Sequence, residues 1–241
     1  MKKKEIIIFM PSINGGGVEK NFFLITNYLA SKFNKISVVS LSKEYQKKLN
    51  PSIKLISINI PLKNYLGRRV KFIVCLLLLM KKIIFNKNIT VFCFQGLVYC
   101  TILCKIFSTK IVIRSNSSPS GWSQNILKKI LYRSIYNLAD KIIVNSKNFQ
   151  KELKKKFNLN SECIYNPLNK NEIIKNSKEK IKIKFFKKNN LKIISVARFS
   201  SQKDHLSIIK SINLLKDKYN NLKVLFIGYG KKKKSSFLCL L

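Results

Sequence analysis

Arg198 and Lys203, five residues apart in SVARFSSQKDH (195–205), are the pair most able to do chemistry in this chain. An apolar run ends at the arginine, a short polar loop follows, and the lysine stands where a helical pattern begins. Both cations can meet one diphosphate there, with the positive end of the helix behind them. By frequency alone, the pair reads as two solvent-facing charges among 48 lysines and arginines. Position, not charge, favours an anion site.

Two further stretches carry site chemistry. NGGGVEK, residues 14–20, follows the first strand-like run and opens the first helical pattern. Gly16 and Gly17 let the phosphates or sugar of a ligand approach backbone N–H groups, and Glu19 and Lys20 add charge of both signs. The spacing is not the dinucleotide G-x-G-x-x-G, so taken alone it reads equally as a flexible turn. RSNSSPSG, residues 114–121, sits at the carboxyl end of a central strand, where open α/β sheets bind ligands. Arg114 and Asn116 can meet an acceptor or the transferred sugar there, and a plain polar loop with a Ser-Pro turn is the equal alternative. Asp204 is placed to cap the helix after the Arg–Lys loop. His205 reads as a helix-start packing or capping residue.

The elements that must position these residues alternate in the manner of a parallel α/β sheet. Strands are predicted at 5–10, 36–41, 53–58, 89–94, 111–114, 141–145 and 163–165, and helices at 18–32, 69–85, 96–107, 124–138 and 147–157. In the first helix Phe22, Ile25, Leu29 and Phe33 recur at helical spacing and are expected to face the sheet. Phe72–Met80 is apolar all round, with Arg68, Arg69, Lys71, Lys81 and Lys82 beside it. A wholly buried helix is the expectation, and a membrane contact is the alternative. After Asn166-Pro167 a Lys- and Asn-rich tract, 169–190, reads as a linker or connecting helix. A second unit opens with strands at 191–197 and 222–228 around a helix at 204–215, whose Leu206, Ile209, Ile212 and Leu215 make a core-facing stripe.

Composition excludes several classes. The net charge of +38 attracts anionic lipid or nucleic acid, but only five arginines occur, so nucleic acid is not expected. Six cysteines include no C-x-x-C pair and there is one histidine, which points to reduced thiols and no metal site. The longest apolar run, nine residues, falls short of the roughly 20 that span a bilayer. No paired carboxylates, Ser–His or Cys–His set supports a hydrolase.

Taken together, these motifs resemble glycosyltransferase family 4, the retaining enzymes of the two-domain GT-B fold. Gly16, Gly17, Glu19 and Lys20 match its G-G-x-E/Q-R/K loop, Arg198 and Lys203 its donor-site cations, and ADKIIVNS (139–146) with IYNP (164–167) its signposts before the second domain. The resemblance implies an α/β, GT-B-like fold: an acceptor-side Rossmann-like domain at 1–167, a linker at 168–190, the start of a nucleotide-sugar domain at 191–230, and an aberrant tail at 231–241. It implies sugar transfer from a nucleotide-diphosphate sugar to a lipid-linked glycan in surface polysaccharide assembly, without a metal or other cofactor, in the cytoplasm or at the inner face of the membrane. By that resemblance Arg198 and Lys203 are catalytic and donor-binding, Gly16 and Gly17 donor-binding, and Glu19, Lys20, Arg114 and Asn116 acceptor-side.

Two departures stand out. Many relatives carry a histidine near Arg114 that this chain lacks, and no Glu-x7-Glu follows in the second unit. The expectation is a chain cut short by a frameshift or early stop and inactive alone. A split transferase completed by a second chain, and a non-enzymatic basic protein that binds membrane or nucleic acid, remain open.

Overall fold

The computed structural model describes residues 5–13, 16–59, 67–86, 88–116, 125–179 and 191–230. The β-branched runs of the first half pair into one seven-stranded sheet. Its strands are β1 (Glu5–Phe9), β2 (Ile36–Val39), β3 (Lys54–Ile56), β4 (Ile89–Cys93), β5 (Lys110–Ser115), β6 (Lys141–Val144) and β7 (Glu162–Cys163), in the order β3-β2-β1-β4-β5-β6-β7. All pairings are parallel, and Ile7 lies between Ser37 and Val91. The order reverses between β1 and β4, so the loops after these strands diverge and leave a crevice at their carboxyl ends.

Five helices connect the strands: α1 (Gly17–Ala30), α2 (Arg68–Phe85), α3 (Leu97–Ile106), α4 (Ile126–Asn137) and α5 (Lys147–Phe157). Both sheet faces are covered, which is why β1 reads as an unbroken apolar run. On one face Ile7, Phe9, Val91 and Ile113 pack against Cys75 and Leu79 of α2 and Cys100 and Cys104 of α3. On the other, Ile8, Met10, Val38 and Phe92 pack against Phe22 of α1. The thiols here are packing groups: burial pushes Cys75 up to about 12 and Cys100 well above its ordinary value.

Two helix faces differ from the sequence expectation. In α1, Phe22 is buried, but Asn21 and Thr26 share the inner face, and the helix ends at Ala30, so Phe33 lies beyond it in solvent. α2 is not wholly buried: Cys75, Leu79 and Ile83 face the core, while Val70, Ile73, Leu77 and Ile84 on the opposite ridge are exposed. One sheet covers one ridge of a helix, and no other layer of this unit's described residues lies outside α2.

The chain divides into two compact units, Met1–Ile173 and Ile174–Leu241. Within the tract expected as linker, α6 (Lys170–Ser177) begins where Asn169 Oδ1 accepts a hydrogen bond from the Glu172 N–H; residues 180–190 and the tail at 231–241 lie outside the described residues. In the second unit β8 (Leu191–Val196) and β9 (Leu222–Ile227) pair in parallel, joined by α7 (His205–Leu215). The expected α7 stripe is corrected: His205 and Ile209 are buried, whereas Leu206 and Leu215 are exposed. A two-stranded sheet shelters only the ridge at i, i+4.

Asp140, just after α4, ties α3 to β5. Its Oδ2 accepts from Lys105 Nζ at 2.8 Å and from the Ile111 N–H at 2.7 Å. Partial burial alone would raise its pKa, but these two donors hold it below the ordinary aspartate value. A depressed folded pKa gives stability that is present above about pH 4 and lost as pH falls through the folded value. Asp140→Asn is therefore expected to lower the melting temperature at neutral pH, with the gap to wild type closing below about pH 4. Thermal melts at stepped pH check this; a gap constant with pH contradicts it.

Candidate functional site

In the first unit, the loops at the crevice are stitched to one another. The Ser12 N–H donates to Gln95 Oε1 at 3.4 Å, and the Ile13 N–H to Ser42 Oγ at 3.0 Å. The ends of β1, β2 and β4 are thus fixed together. Gly96 starts α3 in the left-handed region at φ 68°, and a Cβ there would lie 2.4 Å from the Phe72 ring. Only glycine lets α2 and α3 close over this end of the sheet.

Beside these loops is a cavity of about 650 Å³. The start of α1 gives it Gly16, Glu19 and Lys20 together, three residues expected at the site. The Glu19 carboxylate folds back over Gly16, 2.8 Å from where a Cβ would stand, while Lys20 and Gly17 are exposed. Asn14 and Gly15 lie outside the described residues.

The opposite wall was not foreseen. A 3-10 helix at Lys43–Lys48 presents Tyr45, whose ring centroid lies 6.1 Å from that of Phe23, and Lys48 Nζ stands 5.4 Å and 5.8 Å from the two rings. Asn27 holds this helix to α1, donating to Lys48 O at 2.9 Å and accepting from the Asn50 N–H at 2.8 Å. Glu172 of α6 also lines the space. Aromatic faces, carboxylates, ammonium groups and an amide suit a polyhydroxylated ligand with an anionic group. The one sequence signal was Tyr45 three residues before Lys48, a spacing that puts both on one side of a 3-10 turn.

Arg114 and Asn116 have a different setting from the one expected. Arg114 is 1% exposed, and its Nη2 donates to Ile164 O at 3.1 Å and Asn166 Oδ1 at 3.0 Å. The guanidinium pins the end of β5 to the Ile164–Pro167 segment. Burial lowers its pKa, and among the described residues no carboxylate pairs with it. Asn116 is half-buried and donates to Arg114 O at 3.4 Å. Residues 117–121 of this loop lie outside the described residues.

In the second unit, the strand pairing continues into the Arg–Lys loop. The Ala197 N–H donates to Ile227 O at 3.0 Å, and the Phe199 N–H to Tyr229 O at 2.9 Å. Gly228 permits this: a Cβ there would sit 1.9 Å from Ala197 O. Phe199 points inward, buried and stacked on His205 with centroids 4.7 Å apart, and His205 also meets Phe226 at 5.5 Å. His205 is thus a packing residue at the helix start.

With Phe199 anchored inward, its neighbour Arg198 is exposed, and so is Lys203 at the end of a 3-10 turn, Ser201–Lys203. Neither forms an ion pair among the described residues. Asp204 holds the position that precedes α7, at φ 41°, but its side chain caps no backbone N–H; it accepts instead from Ser207 Oγ at 2.7 Å. The first turn of α7 therefore has N–H groups with no side-chain cap, next to two cations that form no ion pair among the described residues. That set can hold an anion. Among the described residues no group of three or more His, Cys, Asp or Glu could hold a metal ion.

Residues 15–172 match the model of Glycosyltransferase Family 4. The chain is 26% identical over 235 residues to N-acetylgalactosamine-N,N'-diacetylbacillosaminyl-diphospho-undecaprenol 4-alpha-N-acetylgalactosaminyltransferase of Campylobacter jejuni, covering 92% of this chain and 62% of that protein. Among solved structures it is similar to Anabaena HepE in complex with UDP and glucose, with a TM-score of 0.65 and 16% identity, covering 98% of this chain and 64% of that one. It is also similar to a glycosyltransferase of Rickettsia africae, with a TM-score of 0.60 and 17% identity, covering 100% and 64%. These structural likenesses establish the GT-B fold. The chain spans less than two thirds of the length of these three proteins. These comparisons lend no support to a second chain.

Proposed function

Since this chain belongs to glycosyltransferase family 4, we infer that it serves the transfer of a sugar from a nucleotide-diphosphate sugar to a lipid-linked glycan, with retention of anomeric configuration. The observation that carries this reading is the Arg198–Lys203 loop, where two exposed cations, in no ion pair among the described residues, precede a helix with no side-chain cap. As the bond from the anomeric carbon to the diphosphate oxygen breaks, negative charge grows on the leaving group. Arg198, Lys203 and the N-terminus of α7 neutralise it without a metal ion. In the first unit, Gly16 and Gly17 let a phosphate or sugar approach the backbone closely. The cavity at Glu19 and Lys20 takes acceptor sugars against Phe23 and Tyr45. The Campylobacter relative is named for a diphospho-undecaprenol-linked acceptor, which supports the lipid-linked part of this reading. Work at the cytoplasmic face of a membrane, in the assembly of a surface polysaccharide, follows from such an acceptor.

The test is calorimetric titration of the 241-residue chain with UDP, UDP-sugars, inorganic pyrophosphate and uridine. UDP and UDP-sugars are expected to bind at one site, pyrophosphate to compete, and uridine not to. Equal binding of uridine and UDP contradicts the diphosphate reading. Any product formed from an α-linked donor carries the α configuration; a β product contradicts retention.

A further inference from the structure

We propose that the outer face of the α2–α3–α4 layer is a docking surface for an anionic lipid bilayer. The ridge of α2 opposite its core-facing residues carries Val70, Ile73, Leu77 and Ile84 at helical spacing, with Leu77 53% exposed. α3 packs beside α2 and against α4, so the outer ridges of the three helices are neighbours. On α3 that ridge is Tyr99, Ile102 and Ile106. On the first two turns of α4 it is Ile126, Leu127, Ile130 and Leu131, with Leu127 76% exposed. Large apolar side chains standing in solvent on three adjacent helices form a continuous patch, which calls for a partner.

Charge identifies the partner. None of the three helices contains Asp or Glu. α2 carries Arg69, Lys71, Lys81 and Lys82, and α4 carries Lys128, Lys129 and Arg133. α1 and α5, by contrast, include Glu19 and Glu152. Apolar ridges among cations, with no acid, match the boundary between acyl chains and anionic headgroups. A second copy of the chain fits poorly, because two such faces would bring like charges together in molecules of net charge +38. No helix of the described residues is long and apolar enough to cross a membrane, so the face lies on the bilayer.

This surface stands on exposure and charge and does not depend on the transfer reaction, although a lipid-linked acceptor gives it a use. The test reads binding and not turnover, so failure of either reading leaves the other standing. The full chain is sedimented with phosphatidylglycerol–phosphatidylcholine vesicles and with pure phosphatidylcholine vesicles, at low salt and at about 1 M salt, where the Debye length is about 3 Å. Binding is expected with the anionic vesicles, and part of it survives high salt. Ile73→Asn with Leu77→Asn, and Leu127→Asn with Leu131→Asn, are each expected to weaken partitioning about 10-fold or more, as loss of apolar insertion predicts. Lys32→Gln with Lys47→Gln, beyond the opposite sheet face, changes it less than about twofold.

A second readout does not depend on weakened variants. Leu77→Trp in a Trp122→Phe background is expected to be quenched by brominated lipids. Asparagine variants that bind as well as wild type, an unquenched Trp at position 77, or a stable dimer without vesicle binding would overturn the proposal.

Discussion

Replacing Arg198 and Lys203 together by alanine is expected to weaken UDP binding about 100-fold or more, with about 10-fold for each alone. A hydrogen bond from a charged donor contributes about 1.5–3 kcal/mol, and each 1.4 kcal/mol is a factor of ten in affinity. The side chains are exposed and make no ion pair among the described residues, so their removal leaves the packing of Phe199, His205 and Phe226 intact. The variants should melt as wild type does. General charge attraction predicts something else: any two exposed lysines would matter as much. Lys32→Gln with Lys47→Gln separates the two accounts, and calorimetric affinities equal across all these proteins would refute a specific site.

Arg114→Ala is expected to cost about 3 kcal/mol of stability in the first unit, a drop of roughly 6–12 °C in melting temperature. The substitution removes both hydrogen bonds that tie β5 to Ile164 O and Asn166 Oδ1 and leaves a void in place of a side chain 1% exposed. Part of that loss is offset, because a buried guanidinium with no carboxylate partner among the described residues is itself costly. Arg114→Met, which fills the space without the charge, should therefore cost about half as much. Alanine within about 0.5 kcal/mol of wild type would show that the guanidinium does not hold that segment.

Much of the fold is legible in the amino-acid sequence. The β-branched runs became the parallel strands, and the helix expected at 147–157 has those same bounds as α5. What escaped was decided by partners distant in sequence. The destination of Arg114 is 50 residues away and has no local signature. The exposed ridge of α2 follows the apolar spacing as well as the buried one, because periodicity says how many faces are apolar and not how many layers exist to cover them. The 3-10 helix at Lys43–Lys48 has no apolar period of its own; Asn27 holds it from α1.

At the candidate site, the loop cations were visible because a strand end and a helix start bracket them. The glycine that shapes their loop, Gly228, was overlooked: its requirement comes from Ala197 O, 31 residues back. The aromatic wall at Phe23 and Tyr45 has no local signature, because the contacts that join α1 to the 3-10 helix, Asn27 with Lys48 and Asn50 among them, span more than 20 residues.

A nucleotide's diphosphate is, on this reading, gathered by Arg198, Lys203 and the mouth of α7. Titrating the ¹⁵N-labelled chain with UDP tests it most directly. Amide resonances of Ala197–Asp204 and of the first turn of α7 are expected to shift and saturate together, and pyrophosphate is expected to move the same signals while uridine does not. Resonances that shift elsewhere while this loop stays still would contradict it.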